Sequence, residues 1–99
     1  MIIVAGHLRL RPGTFEEVRP HMHVMIAASR AETGCLAYSY GRDVVDDDTI
    51  RVFELWQSQD HLDRHFSAAH LKAWRAHLAD VGIERRELSA YMAGLPHPL

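Results

Sequence analysis

The sequence predicts an α+β domain with the element order β-α-β-β-α-β, built as an antiparallel sheet with its helices on one face. Three observations predict it. Stretches near the start, in the middle and near the end alternate apolar and polar residues with period two, the signature of half-buried strands. The stretches between them place apolar residues at helical spacing. Turn and cap residues (Pro12-Gly13, Thr33-Gly34, Asp46-Asp47-Asp48, Gly82) punctuate the chain between these segments.

Ile2 to Leu10 begins β-branched and alternates through His7-Leu8-Arg9-Leu10, which reads as the first strand. Thr14-Phe15-Glu16-Glu17 has the spacing of a capping box, with Thr14 as cap and Glu17 reaching back. A helix from Phe15 to about Ala31 sets Phe15, Val18, Met22, Met25, Ile26 and Ser29 on one stripe. Pro20 lacks an N–H, so a kink or a late helix start is expected there. Gly34 suits a left-handed helix cap.

Cys35 to Val45 alternates, with Leu36, Tyr38 and Tyr40 on one face, and reads as the second strand. Thr49 to Gln57 reads as the third, joined to it as a hairpin. Ser58 opens a helical stretch containing Leu62 and Phe66. Ser67 is the expected cap of a further helix to about Asp80, whose apolar stripe is Leu71, Trp74, Leu78 and Val81. Glu84 to Ala93 reads as the fourth strand. The tail Gly94-Leu95-Pro96-His97-Pro98-Leu99 does not extend a ladder readily, since proline donates no bond. The whole is a ferredoxin-like split βαβ arrangement. One sheet face lacks cover, which predicts a second copy packing sheet to sheet.

Length and composition bound the function. The chain has 99 residues, enough for a single domain spanning 1–99. Its net charge of −2 gives no basic footprint, so no nucleic-acid partner is expected. No apolar run approaches the ~20 residues of a membrane helix, and the opening lacks a signal-peptide pattern. One cysteine, Cys35, precludes an internal disulfide, so a reduced, cytoplasmic protein is expected.

Eight histidines draw attention to acid–base or metal chemistry. His21 and His23 are two apart and point to different sides of a helix. His61 and His65 are four apart and share a face. Neither HExxH nor a cysteine pair is present, so no metal site is expected. His65 follows the third strand, near Trp56, where an imidazole beside an apolar pocket can serve as general base. Val52, Glu54 and Trp56 share one strand face. If that face lies under the helices, Glu54 is a buried acid that either orients His65 or pairs with an arginine. Tyr38, Tyr40, Trp56, Phe66 and Trp74 either line a cavity for a flat ligand or simply fill the core. Nothing activates Cys35 as a nucleophile. Phosphate-binding loops, hydrolase elbows and dinucleotide fingerprints are missing, so no nucleotide or flavin cofactor is expected.

Phe53-Glu54-Leu55-Trp56-Gln57-Ser58, Leu62-Asp63-Arg64-His65-Phe66 and Ala69-His70-Leu71, preceded by Glu32-Thr33-Gly34-Cys35-Leu36-Ala37-Tyr38, resemble the antibiotic biosynthesis monooxygenase family. The resemblance runs from about Ile2 to Met92. It implies a homodimer of facing sheets, a dimeric α/β barrel-like assembly, with a cavity between sheet and helices in each subunit. Several members oxidise phenolic, quinol or anthrone substrates with O2 and no metal or flavin; others degrade haem. Trp56 matches a cavity-lining tryptophan of oxygenase members, His65 and His70 match the helix-entry histidines, and Glu54 matches the acid before the tryptophan. The chain contains no Asn, and Gly6 stands where haem-degrading members carry one, which argues against haem degradation. Val52 and Leu62 stand where anthrone-oxidising members carry Asn and Tyr. The closer similarity is to small quinol-oxygenase-like members.

The expected function is therefore a cofactor-independent monooxygenase acting on a small aromatic, quinol-type substrate and O2. His65 is the expected base, held by Glu54, with His70 as second candidate. Trp56, Trp74, Tyr38 and Phe66 are the expected walls. The alternatives are a non-catalytic small-molecule-binding or stress-associated dimer, and an isomerase or cyclase using the same base without O2. Fold alone does not decide among them.

Overall fold

A computed structural model describes residues Met1–Leu99. The elements run β1 (Ile2–Leu10), α1 (Phe15–Arg30), β2 (Cys35–Arg42), β3 (Thr49–Trp56), α2 (Gln59–Phe66), α3 (Ala69–Val81) and β4 (Ile83–Met92). The four strands form one antiparallel sheet in the order β2-β3-β1-β4. The helices cover one face. The expected ferredoxin-like order holds, with its second helical region divided into α2 and α3 between Phe66 and Ala69.

Both helical stripes pack as their spacing predicts. Val18, Met22, Met25 and Ser29 of α1 are buried, with Phe15 and Ile26 at the margin. Leu71, Trp74, Leu78 and Val81 of α3 are buried likewise. They meet Ile2, Val4, Leu8 and Leu10 of β1 and Ile50, Val52 and Trp56 of β3 in a single core. No helix is long and apolar enough to cross a membrane.

Four local expectations are corrected. Thr14 occupies the cap position, but its hydroxyl donates back to the Arg11 carbonyl instead of capping α1. Ser67 closes α2 and does not cap α3; the cap position is Ala68, which has no side-chain acceptor to offer. Pro20 neither delays nor ends α1: Pro20 and Glu16 both face water, so the carbonyl freed by the missing N–H can be solvated. The helix ends at Arg30, and Gly34 takes its positive φ of 84° three residues beyond the Ala31 cap, at the lead-in to β2. The ring of His61 packs onto Gly34 so closely that a Cβ would lie 2.2 Å from it.

A bulge in β2 matters most for the site. Cys35 lies opposite Trp56, yet Ala37 lies opposite Leu55, so Leu36 is the extra residue. Leu36 drops out of the expected Leu36/Tyr38/Tyr40 face and is exposed. Tyr38 and Tyr40 turn inward, opposite Glu54 and Val52.

Gly6 sets the closest approach in the sheet. Its φ is 148°, and a Cβ there would sit 1.9 Å from the Glu87 carbonyl oxygen on β4. Gly13 also has a positive φ, of 78°, but faces open space. Urea unfolding should separate the two. Gly6→Ala should cost more than about 2 kcal/mol, from strain plus collision, and Gly13→Ala about 1 kcal/mol, from strain alone.

Candidate functional site

Four elements deliver the polar residues of the site to one place. Glu32 lies just past the end of α1, Glu54 is on β3, His65 closes α2, and His70 opens α3. Ser58 anchors α2: its hydroxyl accepts from the His61 backbone N–H at 3.3 Å and lies 2.7 Å from His61 Nδ1. With its start fixed, one face of α2 drives Leu62 and His65 inward. His65 is 1% exposed, an unusual depth for an imidazole.

Glu32 holds that ring. A carboxylate only accepts, so both imidazoles donate: His65 Nδ1–H to Glu32 Oε2 at 2.5 Å, and His70 Nε2–H to the same oxygen at 2.9 Å. His65 Nε2 is left with its lone pair toward Tyr38 Oη at 3.4 Å and Glu54 Oε1 at 3.9 Å. Glu54 approaches His65 at that distance without a hydrogen bond to it, and no arginine pairs with it. Its Oε1 accepts from Trp56 Nε1 at 3.0 Å. Trp56 is wholly buried and its ring centroid lies 4.7 Å from that of His65.

Electrostatics follow from burial. Desolvation lowers the pKa of His65, against the hydrogen bond to Glu32, which raises it. Desolvation raises Glu54, opposed by the Trp56 bond, and the charge of Glu32 adds to the rise. Tyr38 is pushed up strongly by burial, and Tyr40 up to about 12 for the same reason. Burial also raises the Cys35 thiol, which therefore remains unactivated.

A cavity of about 370 Å³ opens beside this group. Its wall includes Glu54, His65, Tyr38, Tyr40, Phe66 and Trp74, with Arg75 and Leu78 from α3 and Arg86, Leu88 and Ala90 from β4. Ten of the fifteen lining residues are apolar, a composition suited to a flat organic ligand.

Of the residues the sequence singles out, Tyr38, Glu54, His65, Phe66 and Trp74 line the cavity. Trp56 does not: it backs His65 from behind. His70 stands outside the wall, bonded to Glu32 and partly exposed. Sequence reasoning did not single out Glu32, Arg75 or Arg86. Glu32 carried one available signal, its place in the segment before Gly34-Cys35.

Glu32, His65 and His70 also offer three metal-ligand atoms within 4.8 Å of one another. Tetrahedral bonds of 2.0–2.1 Å place ligand atoms about 3.3 Å apart. Both Glu32 contacts, at 2.5 and 2.9 Å, are tighter and have hydrogen-bond lengths. A metal here would require the carboxylate to withdraw.

The family model for antibiotic biosynthesis monooxygenases matches residues 1–77. Among curated proteins, sll1783 of Synechocystis is 30% identical over 90 residues, covering 91% of this chain. This chain spans only 61% of that protein's length. YcnE of Bacillus subtilis, which bears a provisional monooxygenase name, is 26% identical over 90% of this chain and 99% of its own. Among solved structures, Rv0793 of Mycobacterium tuberculosis superposes with a TM-score of 0.82 at 26% identity, covering 97% of this chain and 96% of its own. A Deinococcus radiodurans protein gives a TM-score of 0.91 at 21% identity, covering 100% and 98%, and shows the shared fold.

The geometry predicts how the buried base titrates. In an NMR pH titration His65 should protonate below the ordinary histidine pKa of about 6.5, and Glu32→Gln should move it lower still. Because the folded pKa is depressed, the unfolded chain binds more protons below about pH 6.5. The His65 contribution to stability should therefore be full above that pH and decline as pH falls toward the folded pKa. Denaturant midpoints measured across this window should fall less steeply for His65→Gln.

Proposed function

Since the chain belongs to the antibiotic biosynthesis monooxygenase family, we propose that it is a cofactor-independent monooxygenase for a small quinol-type aromatic, with His65 as general base. The observation that carries this reading is the state of His65. Its Nδ1–H is fixed by Glu32, its free Nε2 lies beside Tyr38 and Glu54 of the cavity wall, and burial keeps the ring neutral. A neutral, oriented imidazole with a lone pair toward an apolar cavity is what proton abstraction from a phenolic hydroxyl requires.

O2 reacts slowly with closed-shell organic molecules, and a phenolate gives up an electron more readily than a phenol. In the proposed reaction His65 Nε2 takes the hydroxyl proton, and Glu32 stabilises the imidazolium that forms. The bound phenolate passes one electron to O2, and the radical pair joins at a ring carbon as a peroxide. The O–O bond then breaks. One oxygen stays on the ring and the other leaves as water. A quinol going to a hydroxyquinone supplies all four electrons, so no outside reductant is consumed. The apolar wall excludes water from the anion and the radical pair.

Trp56 and Glu54 act from behind the base. Trp56 fixes the ring plane of His65 by packing, and its N–H occupies a Glu54 oxygen that would otherwise compete for the substrate proton. His70 shares the Glu32 oxygen as a second donor and so helps hold the carboxylate against His65. An isomerase would use the same base without oxygen uptake. That the cavity stands open, not filled by Trp56 and Trp74, supports a reacting site over a vestigial one.

The uncovered sheet face carries Ile3, Phe53, Leu55 and Tyr91, with Phe53 and Tyr91 about half exposed. The homodimer joined through this face belongs to the same proposal.

Oxygen uptake with a panel of quinols and hydroxyanthrones tests the reading. One compound should give saturable uptake, and His65→Gln should reduce kcat/KM at least about 100-fold. Unchanged turnover in that variant, or no uptake across the panel, overturns it. With His65 as base, kcat/KM should rise with pH through a pKa below about 6.5 and level off near neutrality. Exhaustive chelation should leave the rate unchanged; loss restored by a divalent ion would instead assign Glu32, His65 and His70 to a metal.

A further inference from the structure

Most guanidinium groups in this protein are satisfied. Arg9 pairs with Asp46 and Glu84, Arg51 with Asp43 and Arg85 with Glu87, while Arg30 and Arg42 donate to backbone carbonyls. Arg75 and Arg86 differ. Like Arg11 and Arg64 they make no ion pair, but these two stand in the wall of the cavity, Arg75 half-buried and Arg86 exposed at its rim. Arg75 Nε is buried and has no hydrogen-bond acceptor. Its guanidinium lies 5.5 Å above the Phe66 ring, a contact that fixes the plane of the fork without satisfying its donors.

A buried donor without an acceptor is costly, and native structures rarely keep one without a reason. The Glu54 carboxyl of the same wall forms no hydrogen bond or ion pair with Arg75: its Oε1 accepts from Trp56 Nε1, and burial favours its neutral form. The unfilled demand in an otherwise apolar cavity is therefore for an acceptor bearing negative charge.

From this we infer that the substrate is an aromatic acid, a hydroxylated ring whose carboxylate is received by Arg75 and Arg86 while its hydroxyl meets His65. The inference rests on the reading of His65 as base only for the second half of that statement. A carboxylate suits the fork because its two oxygens match paired N–H donors. The paired charges also discriminate. A neutral analogue leaves the buried Arg75 Nε without a charged acceptor, which penalises it beyond the loss of one attraction.

The test is equilibrium binding, followed by quenching of tryptophan fluorescence, with hydroxynaphthoate and its neutral carboxamide as probes. The acid should bind at least tenfold tighter than the amide, and its affinity should weaken as salt rises. Arg75→Gln and Arg86→Gln should each weaken the acid severalfold and leave the amide within twofold. Equal affinity for acid and amide overturns the inference, and so does absence of binding by either. If a variant fails to fold, the acid-to-amide ratio in the unaltered protein still decides the matter. The measurement needs no turnover. Selective binding of the acid without oxygen uptake would remove the oxygenase reading and keep this one; uptake with no preference for acids would do the reverse.

Discussion

One carboxylate oxygen organises the site. Glu32 Oε2 receives His65 from the end of α2 and His70 from the start of α3, while its own backbone follows α1. Three helical segments are thereby tied at a single atom. Burying an imidazole to 1% exposure is unfavourable unless its N–H is satisfied, and Glu32 satisfies it. That bond also fixes the tautomer, leaving Nε2 unprotonated toward the cavity. The break between α2 and α3 has a purpose in this geometry. A continuous helix would carry His65 and His70 five residues apart on a straight rod and could not converge both on one oxygen.

Two acids lie near one imidazole, in different environments. Glu32 is partly exposed, and its Oε2 accepts from two imidazole N–H groups. Glu54 is deeper, and burial favours its neutral form. Its bond to Trp56 ties it to the strand instead of to the histidine. Environment, not residue type, separates the two roles.

Much of the fold is legible in the chain because it depends on periodicity. The α1 and α3 stripes, the hairpin and the shared strand face of Val52, Glu54 and Trp56 follow from spacing alone, while which side of the sheet that face takes does not. Features set by exact geometry are not legible. Thr14 and Ser67 look like caps, but whether a hydroxyl meets an N–H depends on the arriving loop. Pro20 looks like a helix start, yet its exposed position lets water take the freed carbonyl. The β2 bulge re-aims Tyr38 and Tyr40 through one extra residue, which alternation cannot reveal. In the site, His65 is readable from its place just after the third strand, near Trp56. Glu32 is not, because it acts from a loop and meets its partners 33 and 38 residues away. Trp56 illustrates the limit of composition: an aromatic in the right strand packs behind the His65 ring and does not line the cavity.

The cavity draws its two sides from parts of the chain with different obligations. Glu32, Glu54, His65 and His70 all fall within the residues that the family model matches. Arg86, Leu88 and Ala90 lie on β4, which begins at Ile83, beyond that match, and forms an edge of the sheet paired only to β1. An edge strand tolerates side-chain exchange on its inner face without disturbing a second ladder. Mutation there can therefore remodel the cavity wall while the Glu32, His65 and His70 cluster stays intact.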